Sequence, residues 1–136
     1  GIAEYEKRLS QFCNFEWVFV KEEQAGDDRE KAMREEGRRI IKAIPSGYTV
    51  VVLDVIGSNI DSTEFSAFIE SNRDFEGGKI AFVVGGAYGT SKEVLDIADK
   101  KVSLSKLTMT HQLVRIVLME QLYRAFSIMA GTDYHK

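Results

Sequence analysis

The chain has 136 residues and a formal net charge of −3 at neutral pH, the size of one compact domain and too short for a second independent core. Apolar residues make up 44% and charged residues 29%, which excludes a disordered chain, and no apolar run approaches the roughly 18 residues of a membrane span. One cysteine, Cys13, excludes an intrachain disulfide and a cysteine-rich zinc site, and with nothing at the N-terminus that reads as a cleavable signal the expected location is cytoplasmic.

Residues 2–9 read as a short helix, and residues 16–20 (Glu-Trp-Val-Phe-Val) read as a strand because β-branched and aromatic side chains dominate. Cys13, among aromatics, reads as a small buried hydrophobe rather than a reactive thiol, since no flanking His or Lys would activate it. A polar loop over 21–28 leads into a helix over 29–44, apolar at Ala32, Met33, Ile40, Ile41 and Ile44 and stopped by Pro45-Ser46-Gly47. Residues 48–55 form a near-continuous apolar run, as expected of a strand covered on both faces, with Asp54 the polar exception and a turn at 57–59. Asp61 or Ser62 caps a helix to about 71, with Glu64 acidic in its first turn, before Gly77-Gly78 breaks the chain. A second buried strand covers 79–84, a helix capped by Ser91 runs to about 100, and 102–109 is a short extended or looping stretch. The longest helix spans about 111–130, with Gly131 closing it.

This alternation predicts an α/β domain with a mostly parallel sheet and helices on both faces. Ligands of such sheets bind beyond the carboxyl ends of the strands, which directs attention to 53–58, 85–90 and 104–110. Gly85-Gly86-Ala87-Tyr88-Gly89 follows a strand and precedes a helix, where missing Cβ atoms let a ligand approach the backbone; a tight turn is the alternative. The spacing matches neither the dinucleotide nor the Walker fingerprint, and no carboxylate ends the next extended stretch to hold a ribose. In 103–110 hydroxyls alternate with Leu and Met. That pattern suits an edge strand with one wet face, or a loop whose apolar side chains surround an adenine while its backbone reads the ring edge.

The last helix is apolar around most of its circumference, so it is buried or packed against a second copy, and in so small a chain a dimer interface is the better expectation. Glu120 and Arg124, four apart, suit a pair on one face. The tail Tyr134-His135-Lys136 is either frayed or able to stack on RNA and touch phosphate. Charge is unevenly divided: residues 1–99 hold 12 basic and 19 acidic side chains (−7), and residues 100–136 hold 6 and 2 (+4). The positive part coincides with the hydroxyl-rich loop, the last helix and the tail, so the overall acidity does not argue against RNA.

Four ordered motifs, Gly85-Gly86-Ala87-Tyr88-Gly89, Leu104 through Gln112, Glu120-Gln121-Leu122-Tyr123-Arg124-Ala125 and Tyr134-His135-Lys136, together with Leu53-Asp54 and Gly57, resemble the ribosomal RNA large subunit methyltransferase H family of the SPOUT class. The resemblance spans essentially the whole chain. It implies a single domain over 1–136 with a C-terminal trefoil knot, working as a homodimer. It also implies S-adenosylmethionine-dependent methylation at N3 of a pseudouridine in 23S rRNA of the assembled ribosome, with no metal, DNA or membrane involved. Carried over by motif, Leu53, Gly85, Gly86 and the knotted loop Leu104, Ser105, Lys106, Leu107, Thr108 and Met109 would hold the cofactor. Arg124, Tyr134 and His135 would reach the target nucleotide. Thr110 stands where the family usually has proline, and Val55-Ile56 replaces a commonly charged pair. Relatives begin with an extra strand before the helix at 2–9, so the sheet is expected to lack that strand. Competing readings are a Rossmann-like nucleotide-binding enzyme and a non-catalytic RNA-binding module.

Overall fold

The computed structural model describes residues 1–24, 26–86 and 88–131. In chain order the elements are α1 (Ile2–Leu9), α2 (Arg29–Ala43), β1 (Thr49–Asn59), α3 (Ser62–Phe75), β2 (Ile80–Val84), α4 (Lys92–Ile97), β3 (Lys100–Ser103) and α5 (His111–Met129). They fall into two compact units, one holding Gly1–Glu16, Ile60–Gly78 and the residues from Thr108 on, the other Trp17–Asn59 and Lys79–Leu107.

The second unit is built on the apolar run of β1. Val50 to Leu53 are all buried, and β1 is the central strand of a parallel sheet ordered β2-β1-β3. Val50 and Val52, two apart and so on one face, join Val83 and Val94 in a buried cluster on which Ile40, Ile41, Ile44, Leu95 and Ala98 pack. Each aliphatic side chain fully withdrawn from water there contributes about 1.5–3 kcal/mol. Helix α2 starts at Asp28, whose carboxylate accepts the Lys31 N–H at 2.9 Å, and gives way before Pro45.

In the first unit α3 opens with a capping box: Asp61 accepts the Glu64 N–H at 2.7 Å while Glu64 accepts the Asp61 N–H at 3.3 Å. Helix α5 packs on α3 and α1. The Ser62 hydroxyl donates to Gln121 Oε1 at 2.8 Å and that of Ser66 to the Ala125 carbonyl at 3.2 Å. On the α1 side Phe12 stacks on Phe126 with ring centroids 5.5 Å apart, and Tyr5 and Phe12 both lie against Tyr123. Part of the apolar circumference of α5 is therefore taken up within its own unit.

The structure departs from sequence expectation in several places, α3 running on to Phe75 among them. Residues 16–20 form no strand; Val18 and Phe19 are 61% and 71% exposed, so their strand-favouring side chains lack the half-buried pleated surface that such propensity reflects. Strand β1 does not turn at 57 but runs on to Asn59, because Gly57 lies directly against the backbone of Val102. A Cβ there would stand 2.7 Å from the Val102 nitrogen. The β1–β3 register slips at this point, so that Leu53 and Ser58 both stand opposite Val102. Helix α4 ends at Ile97 rather than near 100, since Asp99 is already committed to the sheet. Its N–H donates to the Val50 carbonyl at 2.8 Å, and its carboxylate accepts the Val50 N–H at 2.7 Å. The strand that follows, β3, occupies Lys100–Ser103, half of it ahead of the expected extended stretch. No helix among the described residues is long and apolar enough to cross a membrane.

Candidate functional site

The register of the parallel sheet decides which candidate segments meet. Leu53 of β1 stands opposite Val84, the last residue of β2, on one side and Val102 of β3 on the other. Gly85 and Gly86 follow Val84 directly, and Leu104 follows two residues after Val102. Three segments far apart in sequence, Leu53, Gly85-Gly86 and 104–107, are thereby delivered to the carboxyl end of one sheet, with Leu53 inside β1 itself and 8% exposed.

The glycine loop folds back on itself. Gly89 donates its N–H to the Gly86 carbonyl at 3.0 Å, with φ +99° at Gly89. A Cβ on Gly85 would meet the Thr90 hydroxyl at 2.5 Å, and one on Gly86 would meet Glu36 Oε1 at 1.9 Å. The tight-turn account thus explains Gly89, and close approach explains Gly85 and Gly86. Beside the loop, the Arg29 guanidinium lies 5.5 Å from the centroid of the Tyr88 ring. Ser91 then caps α4, its hydroxyl accepting the Val94 N–H at 3.3 Å.

The hydroxyl-rich stretch is a loop and not an edge strand. The buried Ser103 hydroxyl donates to the Ser105 carbonyl at 3.0 Å, and the Ser105 hydroxyl accepts the Leu107 N–H at 3.0 Å. This small turn leaves Leu107 76% exposed and Lys106 in solvent. The last alternating hydroxyl, Thr110, caps α5 by accepting the Leu113 N–H at 3.2 Å. A non-proline residue is thus used here for its side-chain oxygen.

Thr108, Met109 and Arg124 belong to the first unit. Arg124 pairs with Glu120 one turn earlier at 2.5 Å, with both side chains largely covered, so the i, i+4 pair read from the spacing forms. Glu120 also accepts from Gln121 Nε2 at 3.1 Å. Tyr134 and His135 lie outside the described residues. Cys13 is half-buried with its Sγ 3.8 Å from the Leu9 carbonyl, and burial pushes its thiol up from the ordinary value, in keeping with the inert reading.

One residue at the glycine loop escaped sequence reasoning. Glu36 is 7% exposed, with Oε1 toward Gly86 and Oε2 accepting the Glu23 N–H at 3.3 Å. The Glu23 carboxylate pairs with Arg39, whose hydrogen bond and charge hold it below the usual carboxylate range, and Arg39 also donates to the Lys21 carbonyl at 3.0 Å. In Arg34-Glu35-Glu36-Gly37 the buried glutamate looks like part of a solvated face. The available signal was its place one turn after Met33 and one before Ile40, on the apolar stripe.

The chain matches the family described as "Predicted SPOUT methyltransferase" over residues 1–135. It is 42% identical over 141 residues to the ribosomal RNA large subunit methyltransferase H of Carboxydothermus hydrogenoformans, an alignment covering 100% of this chain and 89% of the relative. Proteins of the same name from Acetivibrio thermocellus and Clostridium kluyveri are 43% and 44% identical, with the same 100% and 89% coverage.

Proposed function

The chain belongs to the SPOUT methyltransferase family, and from that premise we propose that it methylates N3 of a pseudouridine in 23S rRNA of the assembled ribosome, using S-adenosylmethionine. The names of its relatives support large-subunit rRNA as the substrate. The observation that carries the cofactor reading is the sheet register that brings Leu53, Gly85-Gly86 and the 104–107 loop to one end.

Those residues fit the proposed cofactor chemically. Leu53, Leu104 and Leu107 offer apolar surface to an adenine. Gly85 and Gly86 offer main-chain groups just beyond the end of β2, their Cβ positions being taken by Thr90 and Glu36, and Ser105, Lys106, Thr108 and Met109 complete the loop with backbone donors and acceptors. When bound, S-adenosylmethionine supplies an electrophilic methyl group on a sulfonium. The work left to the protein is positioning and exclusion of water, which needs no covalent enzyme group.

The target nitrogen belongs to an imide. If it titrates about two units above neutrality, removing its proton costs roughly 2.7 kcal/mol at pH 7. We assign His135 to accept that proton, Arg124 to stabilise the resulting anion and Tyr134 to stack on the nucleotide. Glu120 presets the Arg124 guanidinium for this role and moderates its charge. The same reading places a trefoil knot around 104–109, makes α5 the interface of a homodimer through its remaining apolar surface, including the 45% exposed Leu113, and locates the protein in the cytoplasm.

Transfer of a tritiated methyl group from S-adenosylmethionine to 70S ribosomes tests this directly. The expected product is label in 23S rRNA, lost on nuclease treatment, with Arg124→Gln and His135→Ala each slowing single turnover by at least about tenfold. Absence of label with the wild type refutes the function. An unchanged rate in His135→Ala removes that residue from the proton-transfer role.

A further inference from the structure

Glu36 is a buried carboxylate that neither the packing of α2 nor the proposed chemistry uses. Burying such a group is costly without a compensating charge, and among the described residues it forms no ion pair: its contact is the 3.3 Å hydrogen bond from the Glu23 N–H. Arg39, three residues on along α2, is engaged by the Glu23 carboxylate and the Lys21 carbonyl. The other carboxylate oxygen, Oε1, is pressed toward Gly86 so closely that a Cβ could not be accommodated between them. The Glu36 carboxyl group therefore sits, 7% exposed, directly behind the backbone of the loop assigned to the cofactor. Arg29, the cation beside that loop, lies over the Tyr88 ring.

The methyl donor of the proposed reaction carries a positive sulfonium, and the thioether left after transfer has lost that charge while keeping every other group. A fixed carboxylate in a water-poor setting distinguishes the two by charge alone, since Coulomb attraction is weakly screened there. We propose, resting on the cofactor assignment above, that Glu36 is a specificity-determining residue whose carboxylate behind Gly86 favours the cationic donor over its neutral thioether product, so that the cleft lets go of product once the methyl group has left.

Calorimetry with S-adenosylmethionine and S-adenosylhomocysteine on wild type, Glu36→Gln and Glu36→Asp tests this. Glu36→Gln keeps the shape and an oxygen to accept the Glu23 N–H, and Glu36→Asp keeps the charge on a shorter stem. The expected result is that Glu36→Gln weakens the donor by about tenfold relative to the product, while Glu36→Asp retains most of the wild-type preference. A merely structural role predicts that both ligands weaken together in Glu36→Gln, leaving their ratio unchanged, and that outcome overturns the proposal while leaving the cofactor assignment standing. Loss of the ratio in Glu36→Asp as fully as in Glu36→Gln also overturns it. Wild type that binds neither ligand overturns the cofactor assignment itself, and the role of Glu36 with it.

Discussion

Replacing Gly57 by alanine should cost more than its small size suggests, and the reason lies in the contact between β1 and β3. The added Cβ would stand 2.7 Å from the nitrogen and the carbonyl carbon of Val102 and 2.8 Å from the carbonyl carbon of Lys101. Ordinary carbon contacts begin near 3.4 Å, so one strand must retreat by about 0.7 Å, and all three opposing atoms are backbone, which no rotamer change can move aside. Val102 is 1% exposed, so the retreat also disturbs the core. Overpacking of this kind costs about 3 kcal/mol, which for 136 residues lowers Tm by about 10 °C at an unfolding entropy of about 2.1 cal/mol/K per residue. Backbone strain contributes nothing, since Gly57 is not among the positive-φ glycines. Gly47 provides the contrast: its φ is +85° and nothing lies within 4 Å of an added Cβ, so Gly47→Ala should cost about 1–2 kcal/mol from conformation alone. Thermal and urea unfolding followed by circular dichroism measure both. A Gly57→Ala variant no less stable than Gly47→Ala would refute the steric account.

Two further outcomes follow from local geometry. Ser105→Ala deletes the acceptor of the Leu107 N–H in an exposed turn, so KM for S-adenosylmethionine should rise several-fold, in line with about 0.5–1.5 kcal/mol for one hydrogen bond, while Tm stays within about 2 °C; methyl-transfer kinetics and a melting curve check both. The half-buried Cys13 thiol is shifted upward by desolvation, so at pH 8 less of it is thiolate when folded than when unfolded. Iodoacetamide should label it at least about tenfold more slowly in native protein than in urea, with the native rate climbing only above the ordinary thiol range.

What was legible in the sequence follows the range of the interactions that fix each element. The start of α3 was readable because Asp61 and Glu64 satisfy each other within four residues, and the first half of β1 was readable because Val50 to Leu53 are buried on both faces. The segment 16–20 misled for the opposite reason: a strand needs a neighbour, and composition cannot say whether one exists. The start of β3 was hidden by two lysines and by a dependence on Val50, some 50 residues away. At the site, the glycine and hydroxyl loops announced themselves by unusual residue density, and the parallel register of β1, β2 and β3 sets Leu53 opposite Val84 and Val102, just ahead of the two loops. Glu36 announced nothing, because its burial is imposed by a loop 50 residues downstream.

The aromatic contacts of α5 also bear on how the chain is made. Tyr5 and Phe12 are synthesised more than 110 residues ahead of the rings that cover them, Tyr123 and Phe126. Contacts across more than 110 residues close slowly. During translation Tyr5 and Phe12 therefore wait for these two rings, a period in which a nascent chain is open to misassociation and to capture by chaperones. The second unit escapes most of this delay, because β1, β2 and β3 have all been synthesised by residue 103. Its sheet can assemble while α5 is still being translated, so the two units differ in when they can fold as well as in what they contain.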